Sequence, residues 1–280
     1  MALWYDEVIN DQVRFGLKLK RTLFMGENQY QTVSVVETEA MGRALLIDDL
    51  WMTSEVDEKG YHEMITHPAM VTAPKIERVL IIGGGDGGTA REVLRYSEVK
   101  HLDMVEIDGM VVDASKEFLP SIGGSAWTDP RFHLTIGDGI EWVNRTDLEP
   151  YDVIIVDGSD PVGPAEGLFN KSFYQACFDR LTDDGVFVTQ SESAILFLDT
   201  HVEMVNLIKE VFGHAFPYYR GVFLYSAGPW SWTYASKKIR PENIVDSRMS
   251  MIEDIAEIYN RDIHHGIFAI PNYVRRRLKL

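Results

Sequence analysis

The chain has 280 residues, of which 45% are apolar, and its formal net charge at pH 7 is −16. This length indicates one large domain or two modest ones, and the apolar fraction is that of a globular protein with a sizeable core. The negative charge argues against nucleic acid and anionic membranes as partners, because both bind basic surfaces. It is compatible with cationic ligands, although acidic surfaces also serve solubility alone.

A single cysteine, Cys177, excludes a disulfide within the chain and fits a reducing compartment. The first residues lack the basic and apolar regions of a signal peptide. No apolar run approaches the roughly 20 residues that a membrane span requires. We therefore expect a cytoplasmic enzyme with no membrane partner.

Short alternating segments separated by polar turns predict a small antiparallel β domain over residues 1–56. Residues 16–20 and 31–38 alternate between apolar and polar side chains, and Arg43–Ile47 is a short apolar strand before a turn. Residues 57–70 are then predicted to form a helix, because their apolar side chains recur at helical spacing.

Strands and helices alternate from Lys75 onward, which is typical of a parallel, doubly wound sheet. We therefore expect residues 57–280 to form an α/β, Rossmann-like catalytic domain. The aromatic segment 214–237 is expected to add an antiparallel hairpin at the edge of the sheet. The predicted strands are residues 76–82, 101–107, 132–136, 153–156 and 186–190, and the predicted helices include residues 89–96, 111–118, 171–179 and 200–212.

Acidic residues lie where the predicted strands end. The first strand leads into the glycine-rich segment 83–88, which contains Asp86, and the next three strands are followed by Glu106, Asp138 and Asp157. Ligands of open α/β sheets bind at the carboxyl ends of the strands, so these acids should face one crevice. Such a crevice would repel a phosphate-bearing nucleotide and hold a ligand that carries positive charge.

The segment 83–88 satisfies G-x-G-x-x-G, which dehydrogenases and adenosylmethionine enzymes share. Asp86 favours the second class, because a carboxylate here would face the pyrophosphate of a dinucleotide; alternatively, it caps the following helix. Glu106 lies about 20 residues past the glycines, where a ribose-binding acid is expected. Asp138 could accept a hydrogen bond from an adenine amino group. Each acid alone could be a turn former, whereas the three in register indicate an adenosine site.

Asp157 at the end of the fourth strand is followed by Asp160 and a loop rich in proline and glycine. This pattern indicates a catalytic strand end with a closing loop, in which Asp157 could act as a general base; the alternative is an Asx turn before proline. Tyr61, on the helix that precedes the sheet, could add a hydroxyl. The histidine spacings and the single cysteine indicate no metal site.

These motifs resemble those of the polyamine aminopropyltransferases, above all the spermidine synthases, over nearly the whole chain. The resemblance implies a methyltransferase-like Rossmann domain with an added N-terminal β domain. It also implies transfer of an aminopropyl group from decarboxylated S-adenosylmethionine, a co-substrate, to putrescine, with methylthioadenosine as the other product. The matching segments are residues 61–64 (YHEM), 79–88 (VLIIGGGDGG), 105–108 (VEID), 129–131 (DPR), 138–139 (DG) and 151–164 (YDVIIVDGSDPVGP).

The resemblance further implies roles for individual residues. In the donor site, the ribose would be held by Gln31 and Glu106, the adenine by Asp138 and Gly139, the aminopropyl ammonium by His62 and Asp86, and the thioadenosine by Pro164 and the loop glycines Gly83 and Gly85. Around the reacting amine would lie the base Asp157, together with Asp160, Tyr61, Tyr225 and, shaping the acceptor pocket, Trp4. A homodimer or homotetramer is also expected.

One segment departs from the family pattern, because Val222-Phe223-Leu224 stands where many spermidine synthases have Ile-Pro-Thr. Phe223 and Leu224, with Trp4 and Trp230 nearby, are expected to pack against the methylenes of the acceptor. Cadaverine, agmatine or a longer polyamine are alternative acceptors. A methyltransferase, against which Asp86 counts, and a non-catalytic polyamine-binding protein are the alternatives from other classes.

Overall fold

The computed structural model describes residues 3–9, 11–159, 163–225 and 228–280, with the backbone alone described at residues 163, 164 and 166. These residues form two β-sheets, of five and seven strands, together with helices that pack on the second sheet. None of the described helices is long and apolar enough to cross a membrane.

The first sheet is an antiparallel meander, in which each strand pairs with the next along the chain. Its core contains Leu17, Leu46 and Trp51. The predicted antiparallel sheet is confirmed, but the sequence pattern did not reveal the first and last strands, because their apolar and polar residues do not alternate. The strands are β1 (Leu3–Ile9), β2 (Val13–Glu27), β3 (Thr32–Thr38), β4 (Arg43–Ile47) and β5 (Leu50–Ser54).

The second sheet is mostly parallel, as predicted. Its strands are β6 (Arg78–Gly83), β7 (His101–Glu106), β8 (Phe132–Ile136), β9 (Tyr151–Asp157), β10 (Leu181–Ser193), β11 (Phe216–Gly221) and β12 (Pro229–Ser236). In space their order is β11-β12-β10-β9-β6-β7-β8. β12 and β11 are antiparallel to their neighbours and form the expected edge hairpin.

The direction in which strands are added reverses between β6 and β9. From β6 the chain builds outward through β7 and β8, and it then returns to place β9 and β10 on the other side of β6. The carboxyl ends of β6 and β9 therefore border a crevice of the kind that binds ligands in open α/β sheets. The helices are α1 (Lys59–Met70), α2 (Gly88–Leu94), α3 (Gly109–Phe118), α4 (Pro120–Gly123), α5 (Gly139–Asn144), α6 (Lys171–Arg180), α7 (Leu198–Phe212), α8 (Asp246–Glu253), α9 (Arg261–Ile267) and α10 (Asn272–Leu278).

Helix α1 is buried along almost its whole length, since every residue from 60 to 70 is buried. The Glu63 carboxylate accepts hydrogen bonds from the backbone N–H groups of residues 257–259 at 2.7–2.9 Å. Carboxylates that accept several backbone N–H bonds make strong, charge-assisted anchors. The helix is thereby fixed in place together with Tyr61 and His62, which face the crevice.

Candidate active site

A cavity of about 940 Å³, connected to bulk solvent, lies at the carboxyl ends of β6, β7 and β9. Glycine backbone and acidic side chains form much of its wall. The structure brings together here the four carboxylates that follow predicted strands, namely Asp86, Glu106, Asp138 and Asp157.

The glycine-rich loop after β6 holds the end of β9. Gly83 has a φ of +82°, and a Cβ at this position would lie 2.2 Å from the backbone oxygen of Asp157, so only glycine fits. The backbone N–H of Gly84 donates to the same oxygen at 2.8 Å. The loop and Asp157 are thus joined at the point where the strand order reverses.

The Asp157 carboxylate accepts hydrogen bonds from two hydroxyls. The Tyr61 hydroxyl donates to Oδ1 at 2.7 Å, and Thr89 Oγ1 donates to Oδ2 at 2.6 Å. Burial and the neighbouring Asp86 carboxylate raise the pKa of Asp157, against the lowering effects of His62 and of the two hydroxyls. A buried carboxylate with increased proton affinity is suited to accept a proton from a substrate.

Asp86 contacts both its own loop and helix α1. Its Oδ1 accepts from the backbone N–H of Gly88 at 2.7 Å, and its Oδ2 lies 3.2 Å from Nε2 of His62. Burial alone would lower the pKa of His62, but Asp86 and Glu58 raise it well above its usual value, so the ring is an imidazolium at neutral pH. His62 in turn lowers the pKa of Asp86 against the opposing effect of burial. Asp86 therefore both binds the start of α2 and faces the cavity.

Glu106 lies at the other end of the cavity and is only 8% exposed. Burial raises its pKa to about 7, and the charges of Asp108 and Asp157 add to this effect, whereas hydrogen bonds from the backbone N–H groups of Asp108 and Gly85 oppose it. The Asp108 N–H lies 2.9 Å from Oε1. A carboxylate held this way presents acceptor oxygens to a ligand hydroxyl.

Gln31, Asp138 and Gly139 line the same end of the cavity. Asp138 caps α5, because its Oδ1 accepts from the backbone N–H of Ile140 at 2.7 Å. Gln31 reaches in from the first sheet, and its Nε2 donates to Oδ2 of Asp108 at 3.0 Å. Residues from both sheets therefore contribute to this end.

Of three further predicted site residues, one lines the cavity, one lies outside the described residues, and one is described only in its backbone. Tyr225 lines the cavity, where its hydroxyl donates to the backbone oxygen of Met52 at 2.6 Å and its ring meets that of Tyr61 edge-on. Asp160 lies outside the described residues. Pro164 is described only in its backbone, within the 3-10 helix Gly163–Phe169.

None of the four residues predicted to form the apolar wall of the acceptor pocket is among the described residues that line this cavity, so that wall stays a prediction. Leu224 is buried in the core of the first sheet, and its neighbour Phe223 turns outward, 58% exposed, against Phe15. Trp230 packs behind Tyr225 in the main core. Trp4 lies on the edge strand β1 and is 59% exposed.

Three side chains around the cavity escaped the sequence analysis. Thr89 contacts Asp157 directly, and only the folded geometry reveals this, because 68 residues separate the two. Glu58 immediately precedes α1 and contacts His62, four residues further on, with 2.6 Å between Oε2 and Nδ1. That i, i+4 spacing is a signal that the sequence carries. Arg91 pairs with Glu58 from α2.

Comparisons with known families identify the chain. Residues 58–247 match the family described as the spermine/spermidine synthase domain, and residues 3–55 match the spermidine synthase tetramerisation domain. The chain belongs to the spermine/spermidine synthase family. The predicted family, the fold class and the assignment to the aminopropyltransferase enzymes are thereby confirmed.

Relatives and solved structures of this family match the chain over almost its whole length. A polyamine aminopropyltransferase of Prochlorococcus marinus (strain MIT 9313) is 48% identical over 277 residues, which are 98% of this chain and 96% of the relative. One from Alkaliphilus oremlandii is 43% identical and covers 100% and 99% of the two chains. A crystal structure of a spermidine synthase in complex with the transition state analogue AdoDATO superposes with a TM-score of 0.95 at 35% identity, covering 99% of this chain and 95% of that one. The spermidine synthase of Thermotoga maritima gives a TM-score of 0.93, also at 35% identity, and covers 99% and 94%.

Proposed function

We propose that the protein transfers the aminopropyl group of decarboxylated S-adenosylmethionine to putrescine, giving spermidine and methylthioadenosine. The observation that carries this proposal is the charge of the cavity. Four carboxylates line it against one cationic side chain, His62, and no lysine or arginine occurs among its described lining residues. Both proposed substrates are cations, and opposite charges attract most strongly where burial excludes water. The match to a spermidine synthase bound to a transition state analogue supports the same conclusion.

The donor would lie along the cavity with its adenosine at the Glu106 end. Glu106 would accept hydrogen bonds from the ribose hydroxyls, and the Gln31 amide would form a further hydrogen bond with them. Asp138 and Gly139 would face the adenine. Gly83, Gly85 and Pro164 would border the thioadenosine. A glycine-lined wall allows the ligand to approach the backbone closely.

Asp86 would select the decarboxylated donor. The tail of S-adenosylmethionine carries a carboxylate, whereas the decarboxylated compound carries only an ammonium at that end. The buried Asp86 carboxylate would attract the ammonium and repel the carboxylate. His62, which is paired with Asp86, would orient it through the 3.2 Å contact.

The reaction requires a neutral amine as nucleophile. An alkyl ammonium has a pKa of about 10.4, so its deprotonation at pH 7.5 costs about 4 kcal/mol. Asp157 would accept this proton while Tyr61 and Thr89 hold the carboxylate in position. The amine lone pair would then form a bond to the carbon next to the sulfonium, and the carbon–sulfur bond would break. Its electron pair stays on sulfur, which becomes the neutral thioether of methylthioadenosine. Asp160 and Tyr225 would flank the amine.

We further propose that residues 1–56 form an assembly domain and residues 57–280 the catalytic domain of a homodimer or homotetramer. The match of residues 3–55 to a tetramerisation domain supports this assignment. Exposed apolar side chains on β1 and β2, among them Leu3, Val8 and Met25, offer contact area for another copy.

A panel of amines tests the proposed function. Purified protein is incubated with decarboxylated S-adenosylmethionine and putrescine, cadaverine, agmatine, spermidine or butylamine, and products are identified by mass spectrometry while kcat/KM is measured. We expect spermidine and methylthioadenosine in equal amounts and the highest kcat/KM with putrescine. A clear preference for agmatine or spermidine would overturn putrescine as acceptor, and absence of any aminopropyl product would refute the activity.

A further inference from the structure

A chain of buried charged side chains lies behind the reacting end of the cavity. It leads from Arg91 on α2 through Glu58 to His62 on α1, and on to Asp86 in the glycine loop. The side chains of Glu58 and His62 are 4% and 2% exposed, and those of Arg91 and Asp86 are 14% and 13% exposed. Neither Glu58 nor Arg91 lines the cavity.

Each member of this chain contacts the next at hydrogen-bond distance. The Arg91 guanidinium donates to both oxygens of Glu58, at 2.9 and 2.8 Å. Oε2 of Glu58 lies 2.6 Å from Nδ1 of His62, and Nε2 of His62 lies 3.2 Å from Asp86. Arg91 is itself held by the backbone oxygen of Ile122 at 2.6 Å. Both ring nitrogens of His62 therefore face a carboxylate. Only the imidazolium form carries a hydrogen on each nitrogen, so only this form can donate a hydrogen bond to both carboxylates.

The packing around His62 is too tight for another ring position. A Cβ at Gly88 would lie 2.2–2.6 Å from three atoms of the imidazole, so this glycine of the loop is required by His62. The ring also packs edge-on against Tyr61, with 5.5 Å between ring centroids. His62 is consequently held between α1 and the start of α2 with its two nitrogens in fixed directions.

Charge alternates along the chain, and this order matters for Asp86, which lines the cavity. The pKa of Glu58 is lowered by His62 and Arg91 against the effect of burial, and that of Asp86 is lowered by His62, so two carboxylates alternate with two cations. Loss of the positive charge on His62 would leave Asp86 without the cation that it contacts at 3.2 Å.

We propose that Glu58 and Arg91 are positioning residues that fix the His62 ring so that one nitrogen donates to Glu58 and the other to Asp86, and thereby hold Asp86 in place for the ammonium of the donor. This inference rests on the proposed function, in which Asp86 binds that ammonium. The two residues touch neither substrate and act only through His62.

Other charged and titratable groups also face this site. His62 faces Glu58, which immediately precedes its own helix, and Asp86 in the loop. Arg91 pairs with its neighbour Glu92 as well as with Glu58. Asp157 faces three further groups, which come from α1, the β6–α2 loop and β7, namely Tyr61, Asp86 and Glu106. Glu58 and Arg91 can be altered without changing a described residue of the cavity wall.

The first test is the affinity of Glu58→Gln for decarboxylated S-adenosylmethionine, measured by calorimetric titration beside methylthioadenosine, which lacks the ammonium. We expect the dissociation constant of the decarboxylated donor to rise about tenfold, which corresponds to one hydrogen bond to a charged group, and that of methylthioadenosine to stay unchanged. Unchanged donor affinity would overturn the proposal, and so would an equal loss for both ligands, because a merely structural defect weakens both.

Glu63→Gln is the matched control for this variant. Like Glu58, Glu63 is a buried carboxylate, but it accepts from the backbone N–H groups of residues 257–259 and does not hold the His62 ring. Its affinities for both ligands should equal those of the wild type even if the protein is less stable. An equal loss of donor affinity in Glu63→Gln would contradict a specific role for Glu58.

The second test follows the ring nitrogen chemical shifts of His62 against pH in the ligand-free protein and requires no turnover. Deprotonation should move toward neutral pH in Glu58→Gln; an unchanged titration would overturn the proposal while leaving aminopropyl transfer intact. Absence of turnover in the wild type would refute the proposed function and leave this test valid. Should Glu58→Gln not fold, Arg91→Lys keeps the charge but loses the two-point contact, and we expect a smaller displacement in the same direction. No displacement there would equally overturn the proposal.

Discussion

The two ends of the cavity hold their carboxylates by different means. At one end, Glu106 and Asp138 accept hydrogen bonds from backbone N–H groups at strand ends and helix starts. At the other end, Asp86 and Asp157 also contact side chains of α1 and α2, including an imidazolium, His62, and two hydroxyls. Backbone donors fix a carboxylate in direction, whereas ionised side chains also balance its charge.

This difference matches the chemistry proposed for each end. Glu106 has no cationic side chain among the groups that set its pKa of about 7, so the free protein leaves its charge poorly compensated. The ribose hydroxyls of a bound donor would supply hydrogen bonds there. At the reacting end, the charge of Asp86 is compensated by His62 before any ligand arrives. We therefore expect pH to affect mainly the free energy of unfolding that depends on the adenosine end. Substitutions should affect turnover and ligand affinity mainly at the reacting end.

Removal of the proposed base should have the largest effect. Asp157→Asn keeps the shape of the side chain and can accept one of the two hydroxyl hydrogen bonds, so we expect it to fold. Its kcat should fall by about 10²–10⁴, the usual contribution of a general base. Steady-state kinetics with putrescine measures this loss. A variant that keeps a fifth of the wild-type rate would show that Asp157 is structural.

Glu106→Gln tests the other end through stability. The pKa of Glu106 is about 7 in the folded protein against a usual 4.5, so its contribution is fully present below pH 4.5 and is lost as pH rises through 7. Relative to the variant, the wild type should lose up to about 3 kcal/mol of unfolding free energy over this range. Urea unfolding of both proteins at pH 5 and pH 8 measures this change, and a difference that is the same at both pH values would contradict it.

Asp86→Asn should weaken the donor more than the acceptor. A hydrogen bond to a charged group contributes roughly 1.5–3 kcal/mol, so the dissociation constant of decarboxylated S-adenosylmethionine should rise at least about tenfold. Calorimetric titration with the donor and with putrescine separates the two effects. Unchanged donor affinity would remove Asp86 from the donor site and erase the distinction between the two ends.

The smallest expected effect concerns the length of the acceptor. One methylene changes the free energy of burial by only about 0.8 kcal/mol, or about fourfold, so length alone discriminates weakly and cadaverine should react measurably. We expect it to be slower than putrescine because its second ammonium would lie out of register with a distal charge site spaced for four carbons. Butylamine should be poor, because a second charge site would remain unpaired. Comparison of kcat/KM under one set of conditions decides this, and equal values for butylamine and putrescine would exclude a distal charge site.

The alternation of strands and helices was sufficient to predict the second sheet, because continuous apolar runs such as residues 153–156 are typical of buried parallel strands. The acids that follow these strands could be predicted for the same reason, since strand ends of a parallel sheet meet at one edge. Strand β1 could not be predicted from the sequence, because its apolar and polar residues come in pairs and do not alternate: Trp4 and Tyr5 are followed by Asp6 and Glu7.

The surroundings of the acids were less predictable, because they depend on helix packing. Thr89 reaches Asp157 only after α2 packs on the sheet, and no local pattern marks that contact. The packing of Leu224 could not be predicted either. Its apolar character fits a substrate wall as well as a core, and in the structure its side chain packs into the core of the first sheet while its backbone N–H donates to Asp57 at 3.0 Å. Glu58 was accessible to sequence reasoning through its spacing from His62.

The binding of two donors to the wild-type protein tests the proposed cavity most directly. Decarboxylated S-adenosylmethionine and S-adenosylmethionine share the adenosine that Glu106 would hold and differ only at the tail that Asp86 would face. Calorimetry at pH 7.5 should give a dissociation constant at least about tenfold lower for the decarboxylated compound, and Asp86→Asn should narrow this difference. Equal or tighter binding of S-adenosylmethionine would contradict a reacting end built to hold an ammonium.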